Sequence, residues 1–227
     1  MSSEPVTTSN RFLDRLISEE RRAEIFHKRI EIASTVLLAL ATIATAWGGY
    51  QSAKWGGEQT SHSAKSATAI VKSGHFANLA EQRLTLQVTV FSQYVEAVSK
   101  GNLTFADFLA QRFPEPLKTA AVAWKKTDPW NNPDAPATPF QLPEFVLAET
   151  VQAEHWEQVA TIEAVAAEVA SEISDRYLMF TIIFASVLFF GGVSGKFGWQ
   201  PLDIAVLLIG SIAFLIGLIV MFTMPII

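Results

Sequence analysis

Three runs without a charged residue constrain this chain more than any other feature: Ile32–Ala53, Tyr177–Gly195 and Ile204–Ile227. A helix needs about 20 residues to cross the hydrocarbon core of a bilayer. No water is available there, so the backbone must satisfy its own polar groups, which a helix does. The runs consist mainly of helix formers and match that length, so they read as three transmembrane helices. Composition agrees, since half of the 227 residues are hydrophobic and only 17% are charged.

The first run also poses a choice, because Ala44-Thr45-Ala46 after an apolar stretch has the look of a signal-peptide cleavage site. Signal peptides pair a short basic region with an apolar stretch of about 7–15 residues. Here residues 1–31 come first and carry six acidic and six basic side chains. Phe12, Leu16, Ala23, Phe26 and Ile30 keep to one helical face, and Glu24 precedes Lys28 by four residues. The expectation is an uncleaved amphipathic N-terminal helix over 1–31, followed by a transmembrane helix over 32–53. Trp47, Tyr50 and Trp55 then form an interfacial aromatic belt, with Trp199 in the same role beside the third run.

Basic residues near the spans set the orientation. Arg21, Arg22, Lys28 and Arg29 precede the first run, and Lys196 sits in the turn over 196–203, so both segments are expected in the cytoplasm. The turn holds Gly198 and Pro201, which suit a tight connection between spans at 177–195 and 204–225. The middle region, 54–176, is then periplasmic, in the inner membrane of a bacterium. It holds 10 basic and 15 acidic residues. No basic stripe marks a nucleic-acid partner. Cysteine is absent, which removes disulfides, thiolate chemistry and cysteine-based zinc sites.

Helical periodicity persists through the middle. Ile70, Gly74, Ala77, Glu81, Leu84, Val88, Phe91, Val95 and Val98 follow three- and four-residue steps, as do Val151, His155, Val159, Ile162, Ala166, Val169 and Ile173. These stripes are expected to be the seams of two antiparallel long helices. Gly101 should end the first, Thr104 should cap a short helix, and "LKTAAVAWKK" should form another. A Pro-rich connector over 127–143 should lead to a long helix from Glu144. The fold class is all-α: three transmembrane helices with a helical extramembrane bundle between the first and second.

Candidate sites are few. Glu58 and His62 stand one turn apart, and with His75 and His155 they are the candidates for a metal site, although the sequence lacks any H-E-x-x-H pattern. Glu81 and His155 are the polar members of the two stripes, expected as a buried polar pair that sets register or senses pH. Trp124 and Trp130 flank the connector as possible contact points. Gly48, Gly49, Gly191, Gly195, Gly210, Ala213 and Gly217 give close-packing faces for helix pairing or oligomer formation. No nucleophile elbow, phosphate loop or cofactor motif occurs, so no catalytic or cofactor-binding residue is assigned. The spans hold no ionisable residue in their cores, which argues against a pump, whereas Thr181, Ser186 and Ser211 leave a passive pore open.

The block "LLALATIATAWGGYQSAKWGGEQ" at Leu37–Gln59 and "FTIIFASVLFFGGVSGKF" at Phe180–Phe197 resemble segments of bacterial inner-membrane proteins of the DUF4337 type. That resemblance implies the three-span layout and supplies no active residues. The leading expectation is a non-enzymatic inner-membrane protein, a homo-oligomer in contact with lipid, whose periplasmic domain self-associates or docks a protein partner. The alternatives are a homo-oligomeric ion channel and a metal- or pH-sensing module.

Overall fold

Between Pro5 and Pro114 the sequence has no proline, and mid-helix glycines cost only about 0.5–1 kcal/mol each relative to alanine. Nothing in that stretch forces a break, and a computed structural model shows one helix, α1, from Val6 to Ser99. The structure describes residues 6–194, 196 and 200–227, with side chains from residue 21 onward except those of 22, 23 and 200. The expected boundary between an N-terminal helix over 1–31 and a first span at 32 is therefore a change in hydropathy and not in backbone. Phe12, Leu16 and Ala23 lie outside the described side chains.

Helix α1 ends as its sequence predicts. Gly101 takes a positive φ of 74°, its N–H donates to Val98 O, and the Asn102 N–H donates to Ala97 O. This is the paired bonding that satisfies the last carbonyls of a helix, and a residue without a Cβ suits it best. Asn102 immediately caps the next helix, α2 (Leu103–Gln111), its side chain accepting the Phe105 N–H at 3.2 Å. The expected cap, Thr104, lies inside that helix. Helix α3 is Leu117–Lys126, and a single 3-10 turn over Pro139–Gln141 interrupts the connector. Helix α4 runs Ala148–Val193, starting four residues after the expected Glu144, and α5 runs Gln200–Phe222. Glu149 sits in the first turn of α4, where a carboxylate complements the helix dipole.

All described regular structure is helical, with no strand among the described residues. Among the described residues three helices are long and apolar enough to cross a membrane, over Glu24–Ser99, Ala148–Val193 and Pro201–Phe222. The chain divides into two compact units, one of Met1–Thr60 with Ala167–Ile227 and one of Ser61–Ala166.

In the first unit, buried positions on α1 advance by alternating steps of four and three: Ile30, Ser34, Leu37, Ala41, Ala44, Gly48 and Gln51. Asp203, Gly210, Phe214, Gly217 and Met221 give α5 the same spacing, with one step skipped. This is the seven-residue repeat of helices that wind gently about each other. Water-driven burial is absent between helices in a membrane, so close packing has to hold them. The glycines provide it. A Cβ added to Gly217 would lie 3.0 Å from Phe184 Cε1, and one on Gly191 would lie 3.2 Å from Leu38 Cδ2. Phe184 is fully buried and has nowhere to retreat.

The second unit pairs residues 61–99 of α1 with the first part of α4. The inner positions are small: Ser66, Ala69 and Ala80 on α1, Ala153 and Ala160 on α4, all buried. Ser66 Oγ donates across the seam to Ala160 O at 2.9 Å, and Ser73 Oγ donates to Ala153 O at 2.9 Å. A helix carbonyl reached from the opposite helix requires close backbone approach, which small side chains such as Ala and Ser permit. At the far end of this unit an aromatic cluster of Phe91, Tyr94, Phe113 and Trp124 joins α1, α2 and α3. Trp124 Nε1 donates to Pro136 O at 2.6 Å, tying the Pro-rich connector to that core. Buried Gln87 bridges the α2–α3 link, donating to Glu115 O and accepting from Leu117 N.

Candidate functional site

The stripes expected as seams are real as periodicities, but over most of their length they face outward; only at the far end of the α1 stripe do Phe91, Val95 and Val98 turn into the aromatic cluster, and Val159 and Ile173 are half-buried. Ile70 is 60% exposed and Ile162 67%, and Gly74, Ala77, Glu81, Leu84, Val88, Val151 and Val169 are exposed as well. On α1 the buried row lies one residue earlier, at Ala69, Ala80 and Gln87 with half-buried Ser73 and Phe76 between. One residue turns a helix by about 100°, so the shift puts Ala69 and Ala80 in the seam in place of Ile70 and Glu81. The physical reason is the close approach just described: a Val or Ile in the seam would push the serine hydroxyls away from the carbonyls they reach.

The same shift corrects the expected polar pair. Glu81 and His155 are both exposed, so neither is a buried seam residue. The seam carries other polar contacts. His62 Nδ1 lies 2.6 Å from Glu163 Oε2, both partly buried, and Arg83 pairs with Glu149 at 2.8 Å, the carboxylate being the more enclosed partner. Glu58, His62, His75 and His155 are not gathered into a ligand set, and no group of three or more metal-ligating side chains occurs among the described residues. The rings of His75 and His155 instead meet Phe76 and Trp156 edge-on.

In the first unit the aromatic residues divide into two roles. Trp47 and Tyr50 are exposed with ring centroids 5.9 Å apart, as side chains at a membrane interface should be. Trp55 is half-buried and its Nε1 donates to Pro225 O at 3.2 Å. Tyr177, fully buried, donates its hydroxyl to the same oxygen at 3.1 Å. Gln51, also fully buried, donates from Nε2 to Ile227 O at 3.2 Å and accepts from Ile227 N at 3.3 Å. One amide thus matches both backbone groups of one residue, and three side chains hold the segment after α5. The sequence reading missed this clamp. Its only signal was a lone Gln at the inner position seven residues after Ala44.

The small residues meet side chains of their own chain. A Cβ on Gly48 would lie 3.1 Å from Thr181 Cγ2, and one on Gly210 would lie 3.4 Å from Phe190 Cβ. Gly49 has no neighbour within 4 Å, and Ala213 packs at the edge of the core. Gly195 and Trp199 lie outside the described residues. The hydroxyls of Thr181, Ser186 and Ser211 donate to carbonyls of their own helices. Trp124 is buried, whereas Trp130 is 54% exposed with its ring edge against Trp124.

What the arrangement offers chemically is surface. The second unit presents large apolar side chains to solvent from both long helices, and Phe105 stacks on Phe108 on the outside of α2. Comparison with protein families, with curated proteins and with solved structures returned no match.

Proposed function

We propose that this chain is a non-enzymatic membrane-anchored protein whose middle region is an extramembrane helical domain that assembles with other chains, first of all with copies of itself. The observation that carries this reading is the inversion of size across the hairpin of α1 and α4. Alanine and serine occupy the intramolecular seam, while Ile70, Val71, Leu86, Ile162 and Val165 are exposed. Large apolar side chains left exposed on two faces of a helical hairpin are candidates for contact with another chain. The spans would anchor the domain, and the basic residues before the first span support a cytoplasmic N-terminal segment and a periplasmic domain at a bacterial inner membrane. The resemblance to the DUF4337 type is in keeping with that layout.

Native mass spectrometry of the full chain in lipid nanodiscs tests the reading. A discrete homo-oligomer, or a stoichiometric complex with a co-purifying chain, supports it. A monomer without a partner at all accessible concentrations overturns it. An oligomer that conducts ions in planar bilayers would replace it with the channel.

A further inference from the structure

The hairpin of the second unit separates its charge by side. Ser66 and Ser73 bond to the carbonyls of Ala160 and Ala153, so residue 66 of α1 is level with 160 of α4, and 73 with 153. On one side of that seam, Ile70 and Gly74 of α1 line a groove of about 460 Å3 together with Glu157, Thr161 and Ala164 of α4. Glu154 lies beside Glu157 on α4, three residues away, and Glu81 follows Gly74 by seven residues, the repeat that returns a side chain to the same row. On the opposite side Lys72 Nζ lies 3.9 Å above the ring of Trp156. Lys65, Lys72, Leu79 and Leu86 repeat every seven residues along that row. From Gln59 to Ala80 α1 contains no acidic residue, and from Thr150 to Ala166 α4 contains no lysine or arginine. The acids of α4 on that side, Glu149 and Glu163, stand seven residues either side of Trp156, and each is paired within the chain, with Arg83 and His62 respectively.

We infer that a second copy of this chain docks its lysine row against the acidic groove of the first. This deepens the self-association reading and rests on it. Complementarity identifies the occupant: one side sets its glutamates beside Ile70 and Leu84 with no lysine or arginine, and the other leaves Lys65 and Lys72 beside Leu79 and Leu86 once its own acids are paired within the chain. A two-fold contact that repeats one side would set lysine on lysine or glutamate on glutamate, and like charges juxtaposed across an interface are unfavourable. The contact is therefore heterologous, groove to row, and such contacts close into a ring or run on as an open array. Levels also match. For copies related by rotation about an axis parallel to the hairpin, Lys72 of one stands level with Glu154 of the next. Lys65 is level with Thr161, one turn beyond Glu157.

Charge reversal in the full chain, reconstituted in nanodiscs, tests this. K65E/K72E makes both sides acidic, and E154K/E157K makes both sides basic. Each variant alone should lose the oligomer by native mass, with helical content unchanged by circular dichroism. A one-to-one mixture should restore an oligomer containing both masses. An oligomer unaffected by either double variant overturns the inference and leaves self-association standing. A monomeric wild type removes both. The absence of native cysteine permits a second test: Lys72→Cys and Glu154→Cys chains should cross-link when mixed and not separately. A cross-link within either single variant alone would overturn the heterologous geometry.

Discussion

Ala160→Leu decides whether the seam is built as described. Ala160 is 6% exposed, and its carbonyl accepts the Ser66 hydroxyl from the opposite helix at 2.9 Å. Three added carbons have no space there unless the helices separate. Overpacking a close-packed site costs about 1–3 kcal/mol, and the lost cross-seam hydrogen bond adds roughly 0.5–1.5 kcal/mol. Ser66 can turn its hydroxyl to its own helix, as helical serines do, so no further penalty for a stranded donor applies. The sum is about 1.5–4.5 kcal/mol. At roughly 2–4 °C per kcal/mol for a chain of this size, Tm should fall by about 3–18 °C. The assay is thermal unfolding of detergent-solubilised protein, followed through the buried Trp124. The paired control is Val151→Ala, which lies on the outward stripe and is exposed, where substitutions usually stay within about 0.5 kcal/mol. A chain that tolerates leucine at 160 but loses stability on truncation at 151 would show that the outward stripe is the seam, and the reasoning would be wrong.

Other outcomes follow from the same contacts. Gln51→Leu removes both hydrogen bonds to Ile227, at about 0.5–1.5 kcal/mol each, and should raise hydrogen exchange at the N–H of Ile227 while leaving the second unit unchanged; unaltered exchange would deny the clamp. Gly217→Ala should destabilise, because its Cβ would meet fully buried Phe184 at 3.0 Å, whereas Gly49→Ala should be neutral or stabilising by up to about 1 kcal/mol; equal effects in a melting comparison would refute the packing account. The hydrogen bond and charge of Lys100 hold the Glu96 carboxyl below its ordinary value. That contribution is present above the ordinary carboxylate range and lost as pH falls through the lowered value. Because the pair is fully exposed, Glu96→Gln should leave Tm at neutral pH unchanged and differ from wild type only in a slight flattening of the acid limb; a large loss at neutral pH would contradict the exposure.

Much of the backbone was legible in the residues themselves. Charge-free runs marked the three apolar helices, Gly101 marked the end of α1, and "LKTAAVAWKK" matches α3 residue for residue. Each of these features is local: hydropathy, a positive φ, a turn of amphipathic helix. The caps were less legible, since Asn102 serves both the end of α1 and the start of α2, and that double use appears only when the chain is folded back. The clamp on the segment after α5 was not legible at all. Gln51 and Ile227 are 176 positions apart, and no pattern along the chain links a buried amide to a distant backbone.

The sequence alone determined that this protein is helical, that three of its segments are apolar enough to span a membrane, and that its two long helices repeat every seven residues. All three follow from composition and spacing, which act on each segment by itself. It could not determine which of two stripes with the same period faces inward. Size pointed to the stripe of Ile70, Val88 and Ile162, since large apolar residues usually fill a core. Tertiary structure decided for alanine and serine at the contact points instead, because two helices close enough for a hydroxyl on one to reach a carbonyl on the other leave no room for a larger side chain at those positions. That choice turned the larger side chains outward and set glutamate and lysine on opposite sides of the hairpin.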